Sequence, residues 1–351
     1  MPKIPLDRLA LSLAVAIGAL AFAPQASAEI RRMVVTSDPQ YPWTDRTDNG
    51  APESEADRDR RSEALITEQY RSIVAFRAAH PGENIPVFVN GDITAYGHGH
   101  QREVMARLLG ILGDNVHLGL GNHDYENNIR QDDGSGCYNN GCARDSVGDL
   151  ITHVTHKRGR VSFDYSVDPG MFNTVHRGSL AYAMTTPDRD RVLNIQLHNY
   201  PAYQVTFESL EGVTNNRYEI VSSLPWLRHL IDQKLAKPAF GDWKDRDYDF
   251  GIVHMHTPRE FDADFNAMVA DADIPAIFAG HIHHQMGRRG DIGGVPLYLS
   301  GSASQRTYLI VEHDTDENVL RVYGVRNNDP DAKKLIDTVP VHRHHADGGM
   351  G

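Results

Sequence analysis

Gly121-Asn122-His123-Asp124 sets an amide, an imidazole and a carboxylate side by side, directly after the apolar run Val116-His117-Leu118-Gly119-Leu120. Packing has no use for three polar side chains at a strand end. A cation has: an amide oxygen can ligate it, and the next imidazole can donate a proton to whatever the cation activates. Gly-Asn is also ordinary turn chemistry, so the four residues gain meaning only if other strand ends carry matching groups. Four do. Asp38 and Gln40 follow Arg31 to Ser37, Asp92 follows Ile85 to Asn90, His254 and His256 follow Asp249 to Val253, and His281 and His283 follow Pro275 to Ala279. Carboxylates, amide oxygens and imidazoles without thiolate suit Mn, Fe or Zn better than Ca or Mg, which seldom take nitrogen. These donors exceed the needs of one cation. Two divalent ions bridged by Asp92 fit the set, and two ions about 3.5–4 Å apart clamp the attacking and leaving oxygens of a phosphoryl displacement.

The elements that must position these residues alternate. Arg31 to Ser37 reads as a strand and Glu53 to Ala79 as a helix with Leu65, Tyr70, Ile73 and Phe76 on one face, stopped by His80-Pro81-Gly82. Ile85 to Asn90 is a second strand, His100 to Leu112 a helix and Val116 to Leu120 a third strand. Strand–helix alternation predicts a parallel sheet whose carboxyl ends lie along one edge, where ligands bind. Tyr125 to Gly148, rich in Asn, Asp and Gly, reads as a long loop beside the candidate site. Arg160 to Val167, Leu180 to Thr185 and Arg191 to Leu197 read as strands, Ser223 to Leu235 and Arg259 to Ala270 as helices, and Val295 to Ser300, Tyr308 to Glu312 and Leu320 to Val325 as late strands.

The ends of the chain differ from its body. Lys3 and Arg8 precede the apolar run Leu9 to Ala23, and Ala26-Ser27-Ala28 is a small-x-small cleavage site, so residues 1–28 read as a secretory signal peptide. That run has 15 residues, short of the roughly 20 that span a membrane, and no later stretch is a transmembrane segment. Residues 29–340 read as one mature domain and 341–351, with His342, His344 and His345, as a solvated tail. Removing residues 1–28 takes away Lys3, Arg8 and Asp7 and leaves 33 basic against 46 acidic residues, a formal charge of −13. That argues against a nucleic-acid duplex as partner, not against a phosphate ester, since bound cations reverse the charge locally. Outside the cytosol, Cys137 and Cys142, the chain's two cysteines, are expected to form a disulfide.

The order Asp38-x-Gln40, Gly91-Asp92-x-x-x-x-Gly97, Gly121-Asn122-His123-Asp124, His256-x-Pro258, Gly280-His281-x-His283 resembles the calcineurin-like metallophosphoesterase superfamily, from Asp38 to about residue 325. The resemblance implies a four-layer α/β/β/α sandwich. It implies one metal held by Asp38, the residue at 40, Asp92 and His283, and a second held by Asp92, Asn122, His256 and His281. His123 would be the general acid or transition-state stabiliser, oriented by Asp124. The chain departs from the family at Gln40, where histidine is usual. A neutral amide is the weaker ligand, which puts the occupancy of the first site in question. His254 and His256 both end one strand, and the spacing to Pro258 favours His256. His198 is a structural or substrate-side residue on this reading, and His98 and His100 stand at the cleft rim or in solvent.

The expected activity is hydrolysis of a phosphate ester by attack of a hydroxide bridging two divalent metals, with a phosphodiesterase favoured over a monoesterase and a secreted or periplasmic location. The substrate would be a nucleotide, a phospholipid head group or another organophosphate. Tyr41, Trp43, Tyr96 and Tyr125 stand near the motifs as rim packing or as stacking surfaces. The alternative is a secreted metal-binding protein of the same fold with little turnover that holds a partner or a membrane surface.

Overall fold

The computed structural model describes residues 29–129, 137–235, 247–259 and 263–342. The expected signal peptide, 1–28, and the tail from residue 343 lie outside the described residues. The elements run β1 (Ile30–Thr36), α1 (Asp45–Asp48), α2 (Glu55–Ala78), β2 (Val87–Val89), α3 (Gly99–Leu109), β3 (Val116–Leu118) and α4 (Gly141–His156). They continue β4 (Arg160–Phe163), β5 (Ser166–Pro169), β6 (Asn173–Gly178), β7 (Tyr182–Thr186), β8 (Arg189–Gln196), β9 (Val205–Glu211), β10 (Thr214–Ile220) and α5 (Leu224–Lys234). The last are β11 (Phe250–His254), α6 (Ala263–Asp271), β12 (Ala276–Ala279), β13 (Met286–Ile292), β14 (Val295–Ser300), β15 (Tyr308–Asp314), β16 (Val319–Val325) and β17 (Lys334–Pro340).

Two sheets carry the architecture. One has the order β17-β16-β15-β1-β2-β3, the other β13-β14-β12-β11-β8-β7-β4. Within the first, β1, β2 and β3 are parallel, with Val34 opposite Val87 and Val87 opposite Val116. Within the second, β8, β11, β12 and β14 are parallel. Met33, Val35, Phe88, Leu309 and Val311 of the first sheet bury against Val192, Phe250, Ile252 and Phe278 of the second. Ile66, Tyr70 and Ile73 of α2 and Met105 and Leu108 of α3 cover the outer face of the first sheet. Leu227 and Leu230 of α5 and Phe265 and Val269 of α6 cover the outer face of the second. Helix, sheet, sheet, helix is the four-layer α/β/β/α sandwich. Each fully buried large aliphatic or aromatic side chain contributes about 1.5–3 kcal/mol, so these faces dominate the stability.

Several local expectations are corrected. The stretch expected as a loop, Tyr125 to Gly148, becomes helical at Gly141, because Ala143, Val147, Leu150 and Val154 recur at helical spacing and are buried. Arg160 to Val167 is not one strand but β4 and β5, which belong to different sheets. β5 joins β6, β10 and β9 in a small third sheet that the sequence reading lacked. Its buried face is a run of stacked rings, Phe207 on Tyr218 and Tyr218 on His176. The strands β13 and β17 were also not anticipated, and Val341, assigned to the tail, is buried in the inter-sheet core. The expected Cys137–Cys142 disulfide is present, with Cα atoms 5.3 Å apart.

Candidate metal centre

The carboxyl ends of β1, β2, β3, β11 and β12 meet where the two sheets converge, and each ends in a sharp turn. Asp38, Gln40, Asp92 and His281 all adopt positive φ, at 52°, 42°, 50° and 71°. Non-glycine residues held there cost about 1–3 kcal/mol each and cluster at functional sites. The turns are fastened to one another: Asp38 N–H donates to Gly91 O at 3.1 Å and Gln40 N–H to Asp92 O at 2.9 Å. Two glycines permit the close approach. A Cβ at Gly121 would collide with Asp92 Oδ1, and one at Gly280 would stand 2.6 Å from Asp38 Oδ2.

Two sets of side chains are placed to hold a cation. Asp92, His256 and His281 bring one donor atom each within 4.8 Å of one another, and so do Asp38, Asp92 and His283, so Asp92 serves both sets. His256 Nε2 is 3.1 Å from Asp92 Oδ2 and 3.1 Å from Asn122 Oδ1. His283 Nε2 is 3.3 Å from Asp38 Oδ1. The other ring nitrogens set the tautomers: His256 Nδ1 donates to Asn90 O at 2.8 Å and His283 Nδ1 to Asp48 Oδ1 at 2.6 Å. Each imidazole therefore aims an Nε2 lone pair at the carboxylates, as a metal-ligating histidine does. Asp38 Oδ1 and Gln40 Oε1 are buried and accept no hydrogen bond. Such orphaned buried acceptors are costly and fit a cation as their missing partner.

Without metal the same geometry binds protons. Burial disfavours a charged His256, but Asp92 and Asp38 outweigh it and raise its pKa to about 9. Burial likewise opposes charge on His283, yet Asp38 and Asp48 raise it to about 10. Asp92 is lowered to about 2: burial pushes it up, and the neighbouring His256 charge more than compensates.

His123 is half-buried at the mouth of this centre. Its N–H donates to Asp92 Oδ1 at 2.9 Å, and its Nδ1 lies 2.8 Å from Ala95 O, leaving Nε2 facing outward. Asp124 does not orient that imidazole, which corrects the expectation. Its carboxylate accepts from the backbone of Gly121 at 2.9 Å, Thr94 at 3.0 Å and Ile93 at 3.1 Å. It therefore ties the turn after β3 to the turn after β2, and burial with the nearby Asp92 charge raises its pKa to about 6.

His254, the alternative to His256, is remote from these ligands in environment. It is stacked on Phe88 at 4.2 Å and on Phe278 at 5.8 Å in the inter-sheet core. His198 Nδ1 accepts from Leu120 N–H at 3.1 Å and its Nε2 bonds Leu180 O at 2.5 Å, so it braces the end of β3. His98 precedes α3 and its ring leans on Tyr96, while His100 meets Tyr41 edge-on. Tyr41 and Tyr125 are buried packing. Trp43 is not: it stands edge-to-face against both His123, at 5.5 Å, and His283, at 5.9 Å.

Asp48 was missed. Besides His283 it accepts from Trp43 Nε1 at 2.7 Å, Gln305 Nε2 at 2.7 Å and Ser304 Oγ at 2.5 Å. Burial would raise its pKa, but the His283 hydrogen bond and charge hold it well below the usual carboxylate range. An aspartate in a polar loop carries no sequence signal for this. Only Trp43, five residues earlier, hinted that the loop packs inward.

The family model for calcineurin-like phosphoesterases matches residues 31–285. The chain belongs to the calcineurin-like phosphoesterase family. That family consists of metal-dependent phosphoester hydrolases, and the paired Asp/His sets are where its divalent ions would sit. Similar solved structures include a putative 5'-nucleotidase from Staphylococcus aureus, 14% identical over 90% of this chain and 55% of that one, with a TM-score of 0.46. A calcineurin-like phosphoesterase from Bacillus subtilis is 12% identical over 89% of this chain and 90% of that one, with a TM-score of 0.42. The NAD nucleotidase of Haemophilus influenzae is 13% identical over 89% of this chain and 56% of that one, with a TM-score of 0.41. The chain thus spans about half the length of the two nucleotidases. No curated protein sequence matches it. Among the described residues no helix is long and apolar enough to cross a membrane.

Proposed function

We propose that the chain is a secreted or periplasmic phosphoesterase with two divalent metals, acting on a phosphodiester in preference to a monoester. Asp38, Gln40, Asp92 and His283 would hold one ion, and Asp92, Asn122, His256 and His281 the other. The observation that carries the reading is the shared Asp92 between two Asp/His sets, flanked by the orphaned Asp38 Oδ1 and Gln40 Oε1. When bound, the ions supply an activated water and neutralise the phosphoryl oxygens. His123 does the proton work: Ala95 O fixes its Nδ1, and Nε2 is the atom from which a proton passes to the leaving oxygen. Asp92 positions His123 through its main chain, and Trp43 walls the ring on one side. Asp48 holds His283 with its lone pair toward Asp38. The Cys137–Cys142 bridge supports an oxidising compartment.

The test is hydrolysis of bis-p-nitrophenyl phosphate beside p-nitrophenyl phosphate, with Mn, Zn and Fe compared. Metal-dependent turnover that favours the diester is expected. The reverse order makes the chain a monoesterase, and no turnover of either ester with both metals bound points to the binding protein.

A further inference from the structure

At the opposite end of β1 from Asp38, about 23 Å away at the usual rise per residue, a cavity of about 480 Å³ lies between the two main sheets' lower edges. Arg31, Arg32 and Arg189 line it, with Glu29, Glu83 and Asp188 among the other wall residues. The three carboxylates are engaged. Glu29 binds Arg31 at 2.9 Å, Glu83 binds Arg32 at 2.9 Å, and Asp188 accepts from Asn84 N–H at 3.4 Å. Arg32 is further held by Glu312 at 3.2 Å.

Arg189 is different. It is 3% exposed, its Nη2 has no hydrogen-bond partner, and among the described residues no carboxylate forms an ion pair with it. Arg31 Nε is also buried and unpartnered. Arg31 continues the inward face of Met33 and Val35 and pairs across the ladder with His313, whose two ring nitrogens are buried without partners. Burial lowers Arg189 to about 9, so it stays protonated at neutral pH. Glu83, paired with Arg32, favours the Arg189 charge without forming an ion pair with it. A buried guanidinium without a close partner is strongly disfavoured, and its planar fork matches an oxyanion bidentately.

We propose that this cavity binds a small oxyanion, a phosphate or a carboxylate, on the Arg189 guanidinium with Arg31 beside it. The site is separate from the metal centre and goes beyond the hydrolytic reading: its donors come from the amino ends of β1 and β8, at the opposite end of β1 from Asp38.

Calorimetric titration of the metal-loaded full chain with inorganic phosphate tests it. Two classes of phosphate site are expected, one abolished by chelating the metals and the other by Arg189→Gln. That variant should hydrolyse the model diester within about twofold of the parent, which also shows that it folds. If Arg189→Gln does not fold, Arg31→Gln should weaken the metal-independent site by about tenfold, the scale of one lost charge-assisted hydrogen bond. Acetate displacing phosphate from that site alone identifies a carboxylate as an accepted ligand. Phosphate binding that disappears entirely on chelation, with acetate not binding either, overturns the proposal, as does a metal-independent site left unchanged by both substitutions.

Discussion

His254 and His256 are two residues apart, both completely buried, and electrostatically opposite. His256 lies among Asp92, Asp38 and Asn122, and its pKa is raised to about 9 against the pull of burial. His254 lies between Phe88 and Phe278 with neither ring nitrogen hydrogen-bonded, and burial lowers it to about 3. The strand end separates them. β11 still alternates inside the sandwich at His254, and two residues past its end the backbone N–H of His256 donates to His198 O at 2.6 Å. Burial alone therefore does not mark a functional histidine. What marks one is a buried imidazole beside acceptors that have no other donor.

Replacing each histidine by phenylalanine is the strongest way to break this contrast. His256→Phe should remove metal from the centre and cut hydrolysis of the model diester by at least about 10²-fold, the scale of one lost stabilising group. His254→Phe should keep metal content and turnover near the parent's. Equal losses in metal analysis and rate would erase the distinction.

The next effect sharpens the metal side. His123→Ala should lower turnover by about 10²–10⁴-fold, the range for general acid–base catalysis, while metal content measured by atomic absorption stays intact. A variant that loses metal would make His123 a ligand instead. Asp48→Asn should do the converse on a smaller scale. It removes the carboxylate that orients His283, so metal affinity should fall by about 10–100-fold, read by titration with a chelating dye; undiminished affinity would leave Asp48 as loop packing.

The smallest effect belongs to the inter-sheet side. His254 is lowered to about 3 and His198 to about 4, each mainly by burial. An unfolded histidine takes its proton near pH 6.5. Between roughly pH 6.5 and those folded values the unfolded chain binds more protons, so their contribution to stability is present above that window and is lost as pH falls through it. The fall in melting temperature of the metal-free protein from pH 7 to pH 4.5 should therefore be smaller in His254→Phe than in the parent. Parallel curves would mean that His254 accepts its proton without unfolding.

Much of the site is legible in the residues because each ligand stands just past a run of apolar residues. That position in a strand–loop pattern is a local property, and so are the helices α2 and α3, whose apolar faces repeat along the chain. The small sheet was illegible for the complementary reason. β5 is exposed along its whole length, and in β9 the buried positions Phe207 and Ser209 are one apolar and one polar, so neither sustains the apolar alternation by which a strand is recognised. The helix α4 was hidden by its glycine- and asparagine-rich start.

The sequence by itself determined the donor types, their order and the alternation that carries them, because ligand chemistry and periodicity are written residue by residue. Only the tertiary structure decided which partner each group meets. It sends Asp124 to the backbone of Ile93 and Thr94 rather than to His123, brings Asp48 across 235 positions to His283, and leaves Arg189 buried with its Nη2 without a hydrogen-bond partner. Those outcomes depend on where two sheets converge, and that convergence is set by packing across the core that no local pattern contains.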